Sequence, residues 1–194
     1  IQVLHNLSFV EDPTRIFRAI RFESRLDFQI TRHSEKLIKN AVRLNLPERI
    51  EGHRFLHELE LILSEDDPIP ALRRMEDLEL FPFLWPDLQP DFKLDRRFLH
   101  VLTMTSQVIS WFHHLYLEEK LEKWLVYLLA IMNRARVKDM DNFCERFEMP
   151  EKQRQLLVQQ KQRAEKVAQE LLKRPYARPS EINWLLNELS NEGL

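Results

Sequence analysis

Only two of the 194 residues are glycine, Gly52 and Gly193. Tight hairpins and phosphate-cradling loops both draw on glycine for backbone conformations that other residues resist. A chain this poor in glycine is steered away from sheets. Leu, Glu, Arg, Lys and Gln, all good helix formers, dominate instead. The expected fold class is all-α: an elongated multi-helix array with a short orphan strand at the N-terminus. That strand is read from the alternation in Ile1-Gln2-Val3-Leu4-His5. The same stretch has no initiator Met and no signal-peptide pattern. It is therefore expected to be the last strand of a domain lying upstream.

Apolar residues make up 44% of the chain and charged residues 31%, which fits a globular domain with a real core. No apolar run approaches the length of a membrane span. The single cysteine, Cys144, excludes an internal disulfide and fits a reducing, cytoplasmic setting. The net charge of −2 hides a pattern. Residues 15–54 carry ten Lys/Arg against five Asp/Glu, residues 55–95 three against eleven, and residues 152–178 eight against two. Two basic ends around an acidic middle could meet a polyanion, although ordinary solvated helix faces give the same counts.

Proline and capping residues divide the chain into helices. Glu11-Asp12-Pro13 reads as a helix start, with acids and a proline where free N–H groups and the dipole favour them. Ile16, Phe17, Ile20 and Phe22 form its apolar stripe, and Arg15, Arg18, Arg21 and Arg25 spiral along the other side. Thr31 caps a second helix to Leu44. Pro47 opens a third to Leu63, and Pro68 and Pro70 a fourth ending near Leu80. Pro82, Pro86 and Pro90 make a stiff connector. Helices then follow over 94–114, 118–132 and 137–147. Pro150 starts a long charged helix to Lys173, and Ser180 caps a last one through Leu189. Trp85, Trp111, Trp124, Trp184, Phe98 and Phe112 read as core, with a base-stacking role for at most one or two.

The sharpest local signal is the run from Glu11 to Phe22, EDPTRIFRAIRF. A charged helix start explains its composition but not its order. The run resembles the EDxxR motif of class II nucleotidyltransferases, the CCA-adding and A-adding enzymes and bacterial poly(A) polymerases. The longer form EDPxRIxRAxRF holds without a mismatch. Reading a cytosine or adenine edge needs a donor fork beside an acceptor, which Arg and Asp supply. Positions 12 and 15 are three apart and project from one helical face. The resemblance implies that Asp12 and Arg15 bind the incoming base, with Glu11 capping or bracing. Arg18 and Arg21 stand between RNA contact and structural pairing.

Downstream, Arg54-Phe55-Leu56-His57-Glu58 resembles the family's RxxxE segment, which braces the template helix. At i,i+4, Arg54 and Glu58 are placed to pair on one face. The likeness is continuous from Ile1 to about Trp85 and diffuse beyond, with the overall run slightly closer to A-adding enzymes. It implies a division into 1–8, the end of a catalytic head; 9–85, a nucleotide-selecting neck; 86–150, a body; and 151–194, a tail. The family's body and tail hold the acceptor and T arms of tRNA. Lys161, Arg163, Lys166, Lys173, Arg174 and Arg178 are the candidate RNA-binding residues here.

The family's chemistry uses two head carboxylates holding Mg²⁺ for in-line phosphoryl transfer. No catalytic residue is assigned in this chain, so the chain alone is expected to be inactive and to bind no metal. An HD-type metal pair is excluded where Ala130 and Ile131 stand, and His100, His113 and His114 lack a matching carboxylate cluster. The implied function is the RNA-side portion of an enzyme adding CMP or AMP to tRNA from CTP or ATP without a nucleic-acid template. The rival is a helical RNA- or protein-binding module with no part in nucleotide choice.

Overall fold

The structure, a computed structural model, describes residues 1–84, 93–115 and 121–193. Among these the fold is all helix. The order is α1 (Ser8–Glu11), α2 (Thr14–Arg25), α3 (Arg32–Arg43), α4 (Gly52–Leu63), α5 (Ile69–Asp77), α6 (Phe81–Leu84), α7 (Arg96–His114), α8 (Lys123–Ile131), α9 (Val137–Arg146), α10 (Glu151–Lys173) and α11 (Pro179–Leu186). Short 3₁₀ turns occupy Leu46–Arg49 and Met132–Arg134.

Four helix C-termini use left-handed residues, and among the described residues none of these is glycine. Asp27, Asn45, Glu79 and Glu148 have φ of 51°, 53°, 57° and 52°. Each lies one residue beyond a helix cap: Leu26, Leu44, Leu78 and Phe147. Three of these ends close the six-residue loop of a Schellman motif, through Phe28 N–H to Glu23 O, Leu80 N–H to Met75 O and Met149 N–H to Cys144 O. Glycine appears where backbones crowd. A Cβ on Gly52 would lie 2.5 Å from the Arg146 carbonyl oxygen, so α4 starts against the end of α9 as only glycine permits.

The core is continuous. Ile16, Phe17 and Ile20 of α2 pack on Phe55, Leu59 and Ile62 of α4 and on Leu72 and Met75 of α5. The other side of α4 meets α8, which packs on α7, and α9 packs on α10. A ring chain, Phe17 to Phe55 at 4.7 Å and Phe55 to Phe147 at 4.6 Å, links α2 to the end of α9. Helix α4 is thus the shared wall between the N-terminal helices and the later ones.

Several expectations need correction. Ile1–His5 forms no strand. The Ile1 ammonium donates to Gln29 O, and Thr31 N–H donates to Ile1 O, but the register is not continued by a further backbone pair. Pro47 opens the 3₁₀ turn, and α4 begins only at Gly52. Helix α5 stops at Asp77, because Glu79 turns left-handed. Arg178, not Ser180, stands at the N-cap of α11. Arg21 is buried, while Phe22 sits half-buried. Trp124 and Phe98 are core, whereas Trp111 is 62% and Trp184 66% exposed. Helix α7 buries Phe98, Leu102 and Ile109, and Trp111 lies about 200° around the helix from Ile109. Trp85, Pro86, Pro90 and the expected helix start at 118 fall outside the described residues.

Candidate functional site

The EDPTR run does not form one helix start but a break between two helices. Asp12 precedes Pro13, and the proline ring disfavours helical backbone at the residue before it. Asp12 accordingly adopts φ −144° and ψ 94°, ending α1 at Glu11. Its side chain then caps α2. Asp12 Oδ1 accepts from Thr14 N–H at 3.2 Å and from the Thr14 hydroxyl at 2.6 Å, an Asx-type turn that starts the helix.

A second group converges on the same carboxylate from α4. Arg54 Nη2 lies 3.2 Å from both Oδ1 and Oδ2 of Asp12 and 3.5 Å from Thr14 Oγ1. Partial burial raises the Asp12 pKa, but the Thr14 hydrogen bonds and the Arg54 charge outweigh it and hold the carboxyl below its ordinary value. Asp12 is therefore a fixed, ionised acceptor near neutral pH.

Arg15 stands one helical turn on and is 41% exposed at its side chain. Its Nη1 donates to Ser8 Oγ at 2.9 Å and Ser8 O at 3.3 Å. Glu11 lies 3.8 Å from Nη1, and Asp12 Oδ2 lies 4.0 Å from Nε. Both separations are too long for hydrogen bonds. Asp12 and Arg15 thus sit side by side without consuming one another. Beside them, a hollow of about 420 Å³ is lined by Leu4, His5, Ser8, Arg15, Arg18 and Phe22, among others.

Arg54 and Glu58 do not pair with each other. Because α4 lies against α2, each meets an opposite charge across the interface: Arg54 takes Asp12, and Glu58 lies between Arg18 (3.9 Å) and Arg21 (3.7 Å). Arg21 and Arg25 reach Glu65 at 3.7 and 3.8 Å. The arginine face of α2 is therefore met by the two α4-side carboxylates. Sequence reading missed Ser8, Thr14 and Glu65. A Thr two residues after an Asp was a usable signal, since that spacing makes an Asx turn. Ser8 carried none, because its contact depends on the break at Pro13.

The basic candidates of the C-terminal region separate. Lys161 is buried, its ammonium on Asn133 O and, at 2.8 Å, on Glu165. Arg163, Lys166, Lys173, Arg174 and Arg178 are exposed. Arg163 donates to Glu188 O, and Lys173 and Arg174 flank Glu170. On α10, Arg163, Lys166 and Lys173 share one sector, and Lys161 faces away from it. Among the described residues, no group of three or more His, Cys, Asp or Glu is placed to hold a metal ion, and no helix is long and apolar enough to cross a membrane.

Residues 27–92 match the family described as "Probable RNA and SrmB-binding site of polymerase A". The whole chain is 44% identical to a segment covering 22% of the A-adding tRNA nucleotidyltransferase of Geobacter sulfurreducens. Across 77% of the chain it is 34% identical to the enzyme of that name from Aquifex aeolicus, again over 18% of that protein. The fold superposes on a CCA-adding enzyme solved with ATP at a TM-score of 0.82 and 30% identity, covering 100% of this chain and 44% of the other. The chain spans about a fifth of the length of these curated relatives. It belongs to the class II tRNA nucleotidyltransferase family and corresponds to a helical portion of those enzymes.

Proposed function

We propose that this chain is the nucleotide-selecting and tRNA-positioning part of an enzyme that adds AMP, CMP or both to the tRNA 3′ end, using ATP and CTP without a nucleic-acid template. Addition of AMP is the favoured form, since the relatives from Geobacter and Aquifex are both named as A-adding enzymes. The observation that carries the reading is the Asp12–Arg15 pair. Asp12 is held ionised by Thr14 and Arg54, and Arg15 is held beside it with donors to spare.

An adenine or cytosine Watson–Crick edge offers an exocyclic amino donor next to a ring-nitrogen acceptor. A carboxylate and a guanidinium in fixed juxtaposition complement that pair; guanine and uracil present a carbonyl where the amino group should be. A carbonyl facing the Asp12 carboxylate is repelled and desolvated without a partner, which is how a polar site rejects the wrong base. Glu11, Arg18, Arg21, Arg54 and Glu58 support the pair. Residues 9–85 then act as neck, 86–150 as body and 151–194 as tail, with Arg163, Lys166, Lys173, Arg174 and Arg178 on the RNA side. Mg²⁺ chemistry is assigned to a catalytic head, as the resemblance to the nucleotidyltransferase family implies. The setting proposed is the cytoplasm.

The experiment is an assay of the full-length enzyme with each of the four nucleotides on tRNAs ending before C, CC and CCA. Incorporation of AMP, CMP or both, with GMP and UMP refused, is expected. Indifference to nucleotide, or activity confined to a substrate other than RNA, would overturn the reading.

A further inference from the structure

We propose that Ser8 is a positioning residue for nucleotide choice, acting through Arg15; this rests on the reading of Asp12 and Arg15 as the base-selecting pair. Ser8 is 7% exposed, at the start of α1. Its hydroxyl and its carbonyl both accept from a single nitrogen, Arg15 Nη1, at 2.9 and 3.3 Å. Among the described residues these are the only hydrogen bonds that Arg15's side chain makes.

The geometry raises a physical problem that Ser8 solves. Arg15 sits within 4.0 Å of two carboxylates, Glu11 and Asp12, on its own chain segment. Arg–carboxylate pairs readily close into bidentate hydrogen bonds. If Arg15 closed on Asp12, the pair would satisfy itself, and both groups would be lost to an incoming base. Arg54 and Thr14 hold Asp12 from one side. Ser8 holds Nη1 of Arg15 from the other, leaving Nε and Nη2 without a hydrogen bond among the described residues. The break at Asp12–Pro13 turns α1 back so that Ser8, seven residues upstream, reaches Arg15. Ser8 therefore keeps carboxylate and guanidinium apart, and its loss lets the guanidinium swing onto Glu11 or Asp12.

The test is a double-mutant cycle in the full-length enzyme, read as kcat and KM for ATP, CTP, GTP and UTP on one tRNA. Ser8→Ala is expected to lower the ratio of correct to incorrect nucleotide about five- to tenfold, the loss lying in the nucleotide KM while the tRNA KM stays unchanged. Ser8→Thr keeps the hydroxyl and should restore the ratio to within about twofold. In an Arg15→Ala background, Ser8→Ala should change the ratio no further. Thermal unfolding of each variant reports whether the fold is intact. A Ser8→Ala ratio equal to wild type, or an undiminished Ser8→Ala effect without Arg15, would overturn the proposal while leaving the base-selecting pair standing. Arg15→Ala with unaltered nucleotide ratios would overturn both.

Discussion

Arg54 of α4 places one guanidinium nitrogen 3.2 Å from each carboxylate oxygen of Asp12, across the α2–α4 interface. The Asp12 carboxylate is thus anchored by a residue 42 positions downstream, on the helix that is also the central wall of the fold. Removing Arg54 takes away one of the causes that hold the Asp12 pKa below its ordinary value, so that pKa rises. Arg54→Ala should weaken nucleotide discrimination by about 1 kcal/mol, less than loss of Asp12 itself, because Thr14 still holds Oδ1. The defect should deepen as pH falls toward the ordinary aspartate value of 3.8. A pH series of nucleotide ratios for wild type and Arg54→Ala checks this; parallel profiles would remove Arg54 from the bracing role.

Arg74 of α5 ties three helices together, with Nε 2.8 Å from Glu23 of α2 and Nη2 2.8 Å from Glu35 of α3. Hydrogen bonds from Lys39 and then Arg74 pull the Glu35 pKa from its ordinary 4.5 to about 2. The folded state therefore releases this proton more readily than the unfolded chain. The resulting stabilisation is complete above the ordinary value and is lost as pH falls toward 2. Arg74→Ala should cost about 2 kcal/mol at neutral pH and flatten the loss of stability between pH 5 and pH 3. Urea titrations across that range decide the matter; an equal acid dependence in both proteins would contradict it.

Glu148 adopts φ 52° at the end of α9, a conformation that costs a residue with a Cβ about 1 kcal/mol or more relative to glycine. Its side chain makes only a long, exposed approach of 3.4 Å to His53. Glu148→Gly should therefore leave stability unchanged or raise it by about 0.5 kcal/mol, strain relief offsetting the added freedom of the unfolded chain. The same change at Glu145, inside α9, should cost about 1 kcal/mol. Paired melting curves test the contrast, which a similar loss at both sites would refute.

How much of this was legible in the sequence depends on the range of the interaction. Glycine scarcity and the helix-favouring composition were enough for the all-helical class, and Thr31 was a readable N-cap because capping is local: its hydroxyl accepts from Ser34 N–H. The left-handed helix ends at Glu79 and Glu148 were not legible, since glutamate is a poor marker for that conformation. Asp12 and Arg15 were marked by their motif. Their environment was not, because Ser8 reaches Arg15 through the Pro13 break and Arg54 reaches Asp12 through packing of α4 on α2. The expected Arg54–Glu58 pair failed for the same reason: spacing along one helix says who can meet, and a facing helix decides who does. Lys161 looked like its basic neighbours until the packing of α10 turned it inward.

That difference within α10 has a direct consequence for RNA binding. Neutralising Lys166, Lys173 and Arg174 together should reduce the slope of log affinity against log salt for tRNA by about 0.7–0.9 for each phosphate no longer neutralised. Lys161→Gln should leave that slope alone and lower the melting temperature instead, since it removes a buried ammonium bound to Asn133 O. Salt-series binding isotherms and melting curves on the same variants separate the two. A reduced slope for Lys161→Gln, or an unchanged slope for the triple variant, would dismiss the exposed α10 face as the RNA contact.

The central claim is that Asp12 and Arg15 choose the nucleotide, and relative kcat/KM for ATP, CTP, GTP and UTP on a single tRNA measures it most directly. Each bidentate contact of this kind carries roughly 1–3 kcal/mol of discrimination. Asp12→Ala and Arg15→Ala in the full-length enzyme should therefore collapse the preference over GTP and UTP, chiefly by raising the KM of the correct nucleotide, while tRNA affinity is retained. Both variants should fold, because the Asp12 and Arg15 side chains are partly exposed at the start of α2 rather than in the core, 22% and 41% accessible. If the four-nucleotide ratios of both variants match those of the wild-type enzyme, Asp12 and Arg15 are no more than a helix cap and a surface arginine.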